Sequence, residues 1–126
     1  MNLSVFLSTK INGVTEEEKQ DIYEFVKITV MNELCDCVYD TDNILIYSNF
    51  DEGPAPADAK HKKIHHLEQA FNKMKNCDVF FLLKENDNEI KPGCMVEMNA
   101  WLTACNDLIF VRNKVQMKAC LYTSKK

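Results

Sequence analysis

Glycine and proline are scarce in this sequence, three of each among 126 residues, and tryptophan occurs once. A chain with so few turn-formers does not make the loop-rich frame of a disulfide-stapled miniprotein, although it carries six cysteines. No apolar run approaches the ~20 residues of a membrane span. The first residues enter a strand-like segment directly, without the basic stretch, apolar core and small-residue cleavage site of a secretory leader. There is no GxGxxG fingerprint, no P-loop lysine motif and no CxxC pair; Cys35-Asp36-Cys37 is a CxC. Basic surplus is also missing, since the net charge is −4 and the pI about 5.3. The short runs at Lys60, Lys62 and Lys63 and at Lys125-Lys126 read as solvated surface. These absences lead us to expect a cytoplasmic protein with a small molecule as partner, no nucleic acid, no membrane, no metal and no cofactor.

What is present suits one packed core. Hydrophobic residues make up 46% of the chain, and the length fits a single domain over residues 1–126. Leu3 to Ser8 is an apolar, β-prone run followed by a polar loop. Thr15-Glu16-Glu17-Glu18 is a capping box, and Ile22, Phe25, Val26, Thr29, Val30 and Leu34 continue at helical spacing. Cys37-Val38-Tyr39 and Ile44-Leu45-Ile46-Tyr47 are both strand-like, and one of them serves as strand two. Ile64, Leu67, Phe71 and Met74 mark an amphipathic helix, and the continuous run after Asp78, VFFLL, suits a strand buried on both faces. Gly93 opens a helix with an apolar face of Cys94, Met98, Trp101, Leu102 and Cys105. Asp107 to Val111 reads as another buried strand and Ala119 to Tyr122 as a short final one. Cys77, Cys94, Cys105 and Cys120 lie in apolar contexts and read as small core residues. Alternation of this kind forces crossovers. The fold class is therefore α/β: a flavodoxin-like (Rossmann-like) three-layer domain with a four- to five-stranded, mostly parallel sheet.

In such sheets ligands bind beyond the carboxyl ends of the strands, where the strand order switches. Three loops lie on that edge: Ser8 to Gly13, Lys84 to Gly93, and the loop after Val111. Glu97 stands about one turn into the helix that Gly93 opens. A carboxylate there either complements the helix dipole or faces a ligand, where it can stabilise or attack a cationic sugar carbon. Ser8, Thr9 and Lys10 bring two hydroxyls and an ammonium to the first loop and could hold a phosphate or ribose, or form an ordinary polar loop. Glu85, Asp87 and Glu89 are candidates for a second carboxylate that protonates a leaving base, and Asp87 is carried forward as a catalytic candidate. His61, His65 and His66 lack the glutamate of HExxH and read as solvated helix-surface residues. Trp101 and Phe71 fall on apolar helical faces and read as core.

Three pieces carry a resemblance: the opening VFLSTK, the helix-to-strand passage FNKMKNCDVFFLL, and the GxxxE helix start at Gly93-Cys94-Met95-Val96-Glu97. Together they resemble the nucleoside 2-deoxyribosyltransferase-like superfamily, which includes nucleoside 5′-monophosphate N-glycosidases. That resemblance implies a glutamate nucleophile at the anomeric carbon, Glu97. It also implies a sugar- or phosphate-holding first loop at Ser8 and Thr9, with Lys10, Gly93 and Met95 assigned to substrate binding, and a possible homodimer. The family's sugar-contacting aspartate, eight residues before Asp78, is replaced here by Ala70. A non-catalytic nucleotide-sensing or sequestering domain is therefore the alternative. VFLS with Cys94-Met95-Val96-Glu97 is also similar to Toll/interleukin-receptor-like domains, whose NAD-cleaving members use such a glutamate. Both resemblances imply chemistry at the ribosyl–base bond.

Overall fold

The computed structural model describes residues 2–10, 13–34, 40–48, 62–86, 90–104 and 108–124. Its elements are β1 (Leu3–Thr9), α1 (Glu16–Glu33), a 3-10 turn (Thr41–Asn43), β2 (Ile44–Ser48), α2 (Lys62–Met74), β3 (Val79–Lys84), α3 (Pro92–Ala104), β4 (Leu108–Asn113) and α4 (Lys114–Ser124). The four strands form one sheet in the order β2-β1-β3-β4, and every pairing is parallel.

β1 and β3 are central and buried almost throughout, which is what their unbroken apolar sequences require. Side chains alternate across them. Val5, Leu7, Phe81 and Leu83 face α1 and α4, while Phe6, Phe80 and Leu82 face α2 and α3. The result is a three-layer, flavodoxin-like α/β domain. No helix among the described residues is long and apolar enough to cross a membrane.

Three sequence readings change. The expected final strand at Ala119–Tyr122 is part of α4 instead, and among the described residues the sheet has four strands. A short apolar run does not distinguish strand from helix by itself. Here the deciding signals lie upstream. Asn113 Oδ1 accepts from the Gln116 amide at 2.8 Å and Gln116 Oε1 accepts from the Asn113 amide at 2.9 Å. This reciprocal pair starts a helix, and Met117 and Leu121, four apart, then bury one face against the α1 side. The apolar Asp107–Val111 run predicts a buried strand, but β4 lies at the end of the described strand order with Leu108 and Val111 exposed. Leu102 was assigned to the apolar inner face of α3 and is 47% exposed; Cys94, Glu97 and Trp101 make up the buried face. Cys35, Cys37, Cys105, Asp87, Glu89, His61 and the Cys37–Tyr39 segment lie outside the described residues, as do the side chains of His65 and His66.

Candidate functional site

The chain runs from β1 out to β2 on one side and returns to β3 on the other, so the strand order switches between β1 and β3. Their carboxyl ends form the crevice in which open α/β sheets bind ligands. The register there is Ser8 beside Leu82 and Thr9 beside Leu83, with Leu83 beside Arg112 and Lys84 beside Asn113 on the far side.

Ser8 and Glu97 meet at this edge. Ser8 Oγ donates to Glu97 Oε1 at 2.7 Å, and both residues are buried, Glu97 to 5% exposure. Two periodicities bring them together. Ser8 follows Phe6 on the α3-facing side of β1, and Glu97, Cys94 and Trp101 share one face of α3 at spacings of three and four. Trp101 packs on Phe80 with ring centroids 5.8 Å apart, and Phe80 stacks on Phe6 at 5.7 Å. This aromatic column sets the height at which α3 crosses the strand tips. Trp101 is wholly buried and belongs to the core.

The acidic first-turn role does not describe Glu97. It lies five residues beyond Pro92, past the turn in which the helix dipole acts most strongly, and it is turned inward. A short hydrogen bond between a hydroxyl and a buried carboxylate fixes the carboxylate's direction.

Cys94 adds a thiol to the cluster. Burial pushes its pKa above the ordinary value, and although a hydrogen bond with Ser8 pulls the other way, the charges of Glu97 and Glu85 push it up further. The group therefore remains a neutral thiol at physiological pH.

The other expected site residues divide. Thr9 is buried and its hydroxyl donates to the Leu83 carbonyl at 3.1 Å, which ties β1 to β3 at the crevice. Lys10 is exposed just beyond. Gly93 is exposed at the start of α3, and a Cβ there would meet nothing within 4 Å. Met95 lies two residues before Glu97, about 200° away around the helix, and is exposed on the outer face rather than gathered with Ser8 and Glu97. Ala70 is 1% exposed and belongs to the core cluster of Phe6, Phe80 and Trp101, and its methyl supplies no polar contact.

One residue at this edge was not singled out from the sequence. Lys114 follows β4 and is buried, with Nζ 2.7 Å from Glu18 Oε1 in the first turn of α1 and 3.0 Å from Glu85 Oε1 just past β3. Burial pushes the ammonium's pKa down, but the hydrogen bonds and charges of Glu18 and Glu85 outweigh it, and the pKa lies above the ordinary lysine value. The only sequence signal was a lysine directly after a strand end, which is commonplace.

Two clefts lie away from the Ser8–Glu97 pair, the first of them with Glu18 in its lining. One of about 290 Å³ runs between α1 and α4 past Glu17, Asp21, Met117 and Leu121. The other, about 430 Å³ and apolar, lies between α2 and α3 against Phe71, Met74 and Ala100. Neither is lined by Ser8 or Glu97. Among the described residues, no three His, Cys, Asp or Glu side chains gather as a metal site would require. No protein-family model matches the chain, and no curated protein matches it.

Proposed function

We propose that this protein binds a nucleoside or nucleotide across the β1 and β3 tips and breaks the ribosyl–base bond, with Glu97 as nucleophile. The carrying observation is the buried 2.7 Å hydrogen bond from Ser8 to Glu97 at the switch point of the sheet. The resemblance to the nucleoside 2-deoxyribosyltransferase-like superfamily agrees with it on the same residues.

The chemistry suits a fixed carboxylate. As the bond from C1′ to the base nitrogen lengthens, its electron pair leaves with the base and the sugar acquires oxocarbenium character. Glu97 then forms a bond to C1′, giving a glycosyl ester. Water, or the nitrogen of a second base, displaces the glutamate and completes hydrolysis or transfer. The departing base takes a proton from solvent or from a neighbouring acid, for which Asp87 is the candidate. Ser8 keeps the carboxylate oriented while the ester forms and breaks.

The test is base release from ribonucleosides, deoxynucleosides, their 5′-monophosphates and NAD, comparing wild type with Glu97→Gln. A loss of roughly a hundredfold or more is expected, the scale on which a positioned catalytic side chain acts. Equal release by both proteins would remove Glu97 from the reaction.

The buried methyl of Ala70 supports a second reading, a domain that holds a nucleotide without turning it over. A ligand that stays bound and chemically intact over a long incubation would select this reading.

A further inference from the structure

The geometry points to Glu85 as the second carboxylate of this site, the group that accepts hydrogen bonds from the sugar's 2′- and 3′-hydroxyls. Lys114 is then the positioning residue that aims it, and the preferred ligand is a ribosyl compound rather than a 2′-deoxyribosyl one. This rests on the nucleoside reading above and adds to it the class of sugar.

Placement comes from the strands. Lys84 pairs with Asn113, so the next residues, Glu85 and Lys114, leave the sheet side by side. Alternation along β3 puts Glu85 with Phe81 and Leu83 on the α1/α4 side. Glu97 reaches the same tips from the α3 side through Ser8. The end of the β1–β3 pair is thus bracketed by two carboxylates, one from each face. Both charges act on the Cys94 thiol, which places them within electrostatic reach of one sulfur.

The ion cluster around Lys114 is only a modest stabilising device. Lys114 is buried, but the Glu18 and Glu85 side chains stay 36% and 32% exposed, and pairs so open to water add little to the joining of α1, β3 and α4. The charges do something else. The ammonium sits between Glu18 and Glu85 and offsets part of the negative charge that gathers at this edge. It also pins Glu85 at a single atom. Oε1 is buried against Lys114 Nζ at 3.0 Å, while the side chain as a whole remains 32% exposed. An ionised carboxylate has acceptor sites to spare.

A vicinal diol is the partner such a group takes best, since two hydroxyl donors can share one carboxylate; acidic side chains hold ribose in this way in dinucleotide-binding sheets. A 2′-deoxy sugar would forfeit one of the two bonds.

The experiment measures binding of the four common ribonucleosides and their 5′-monophosphates, the 2′-deoxy counterparts of both, and NAD to wild type, Glu85→Gln, Lys114→Met and Lys114→Arg by calorimetric titration. Wild type is expected to prefer the ribo form of whichever nucleoside it binds by roughly tenfold to a hundredfold, the scale of one charge-assisted hydrogen bond. Glu85→Gln should erase most of that preference, Lys114→Met should reduce it, and Lys114→Arg should restore part of it. Should Lys114→Met fail to fold by circular dichroism, Glu85→Gln decides the matter. Equal affinity for ribo and deoxy forms in wild type, or a preference that survives Glu85→Gln, would overturn the assignment while leaving Glu97 in place. Wild type that binds none of the panel would overturn the nucleoside reading and this inference with it.

Discussion

Ser4 and Asp78 hold each other twice. The Ser4 amide donates to Asp78 Oδ2 at 2.9 Å, and the Asp78 amide donates to the Ser4 carbonyl at 2.8 Å. This clasp at the start of both central strands fixes the register that carries Ser8 to Leu82 and Thr9 to Leu83 at the other end. A slip of one residue would turn Ser8 to the opposite face of the sheet, away from Glu97.

Removing the clasp should weaken the fold without unmaking it. Asp78→Ala is expected to lower unfolding stability by about 1 kcal/mol, the worth of one hydrogen bond at an exposed position. Urea titration followed by circular dichroism checks it, and an unchanged midpoint would mean that the side chain plays no part in pairing the strands.

Ser8 and Glu97 should be energetically coupled. Ser8→Ala takes a hydroxyl donor away from a buried carboxylate and is expected to cost about 1–3 kcal/mol. In the Glu97→Gln background the same substitution should cost less, because a neutral amide tolerates the loss better. A double-mutant cycle measures the difference; strict additivity would show that the 2.7 Å contact carries no coupling.

Cys94 reports on the charge beside it. Burial first, and then the Glu97 and Glu85 carboxylates, hold its thiol pKa up. Alkylation by iodoacetamide at neutral pH should therefore be slow in wild type. In Glu97→Gln one of the upward influences is gone, so the thiolate fraction and the rate at Cys94 should rise. Peptide-resolved mass spectrometry separates this cysteine from the others, and an unchanged Cys94 rate would show that the Glu97 charge does not act on it.

Lys114 should stabilise the fold in a pH-dependent way on the alkaline side. Its folded pKa is above the ordinary value of 10.5 because the two glutamates outweigh the effect of burial. The stabilisation from its charge is then fully present below 10.5 and disappears as pH rises through the higher folded value. The stability gap between wild type and Lys114→Met should be flat from pH 7 to about 9.5 and shrink only above the lysine range. A gap that shrinks between pH 7 and 9 would contradict the pairing.

Much of this domain is legible from local pattern. Apolar alternation and helical spacing depend on a few neighbouring residues, so β1, α1, α2, β3 and α3 can be read without knowing what they touch. The buried depth of the VFFLL strand and the core role of Trp101 follow from the same periodicities, whereas the inward turn of Glu97 is decided by the packing of α3 on β1. Pattern fails where a segment's environment decides. Ala119 to Tyr122 has the composition of a strand, but a capping pair at Asn113 and Gln116 starts a helix through it. Leu102 is as apolar as its neighbours yet faces outward, because the buried side of α3 is set by the turn that carries Glu97 to Ser8.

The partnerships at the crevice belong to the second kind. Glu18, Glu85 and Lys114 are far apart along the chain, and nothing near any of them in sequence announces the other two. They meet because β3 and β4 are neighbours and α1 and α4 share one face of the sheet. Secondary structure is a short-range preference and can be written into a dozen residues. Which charges pair depends on strand order and on which helix covers which face, and these are settled only when the whole chain has packed.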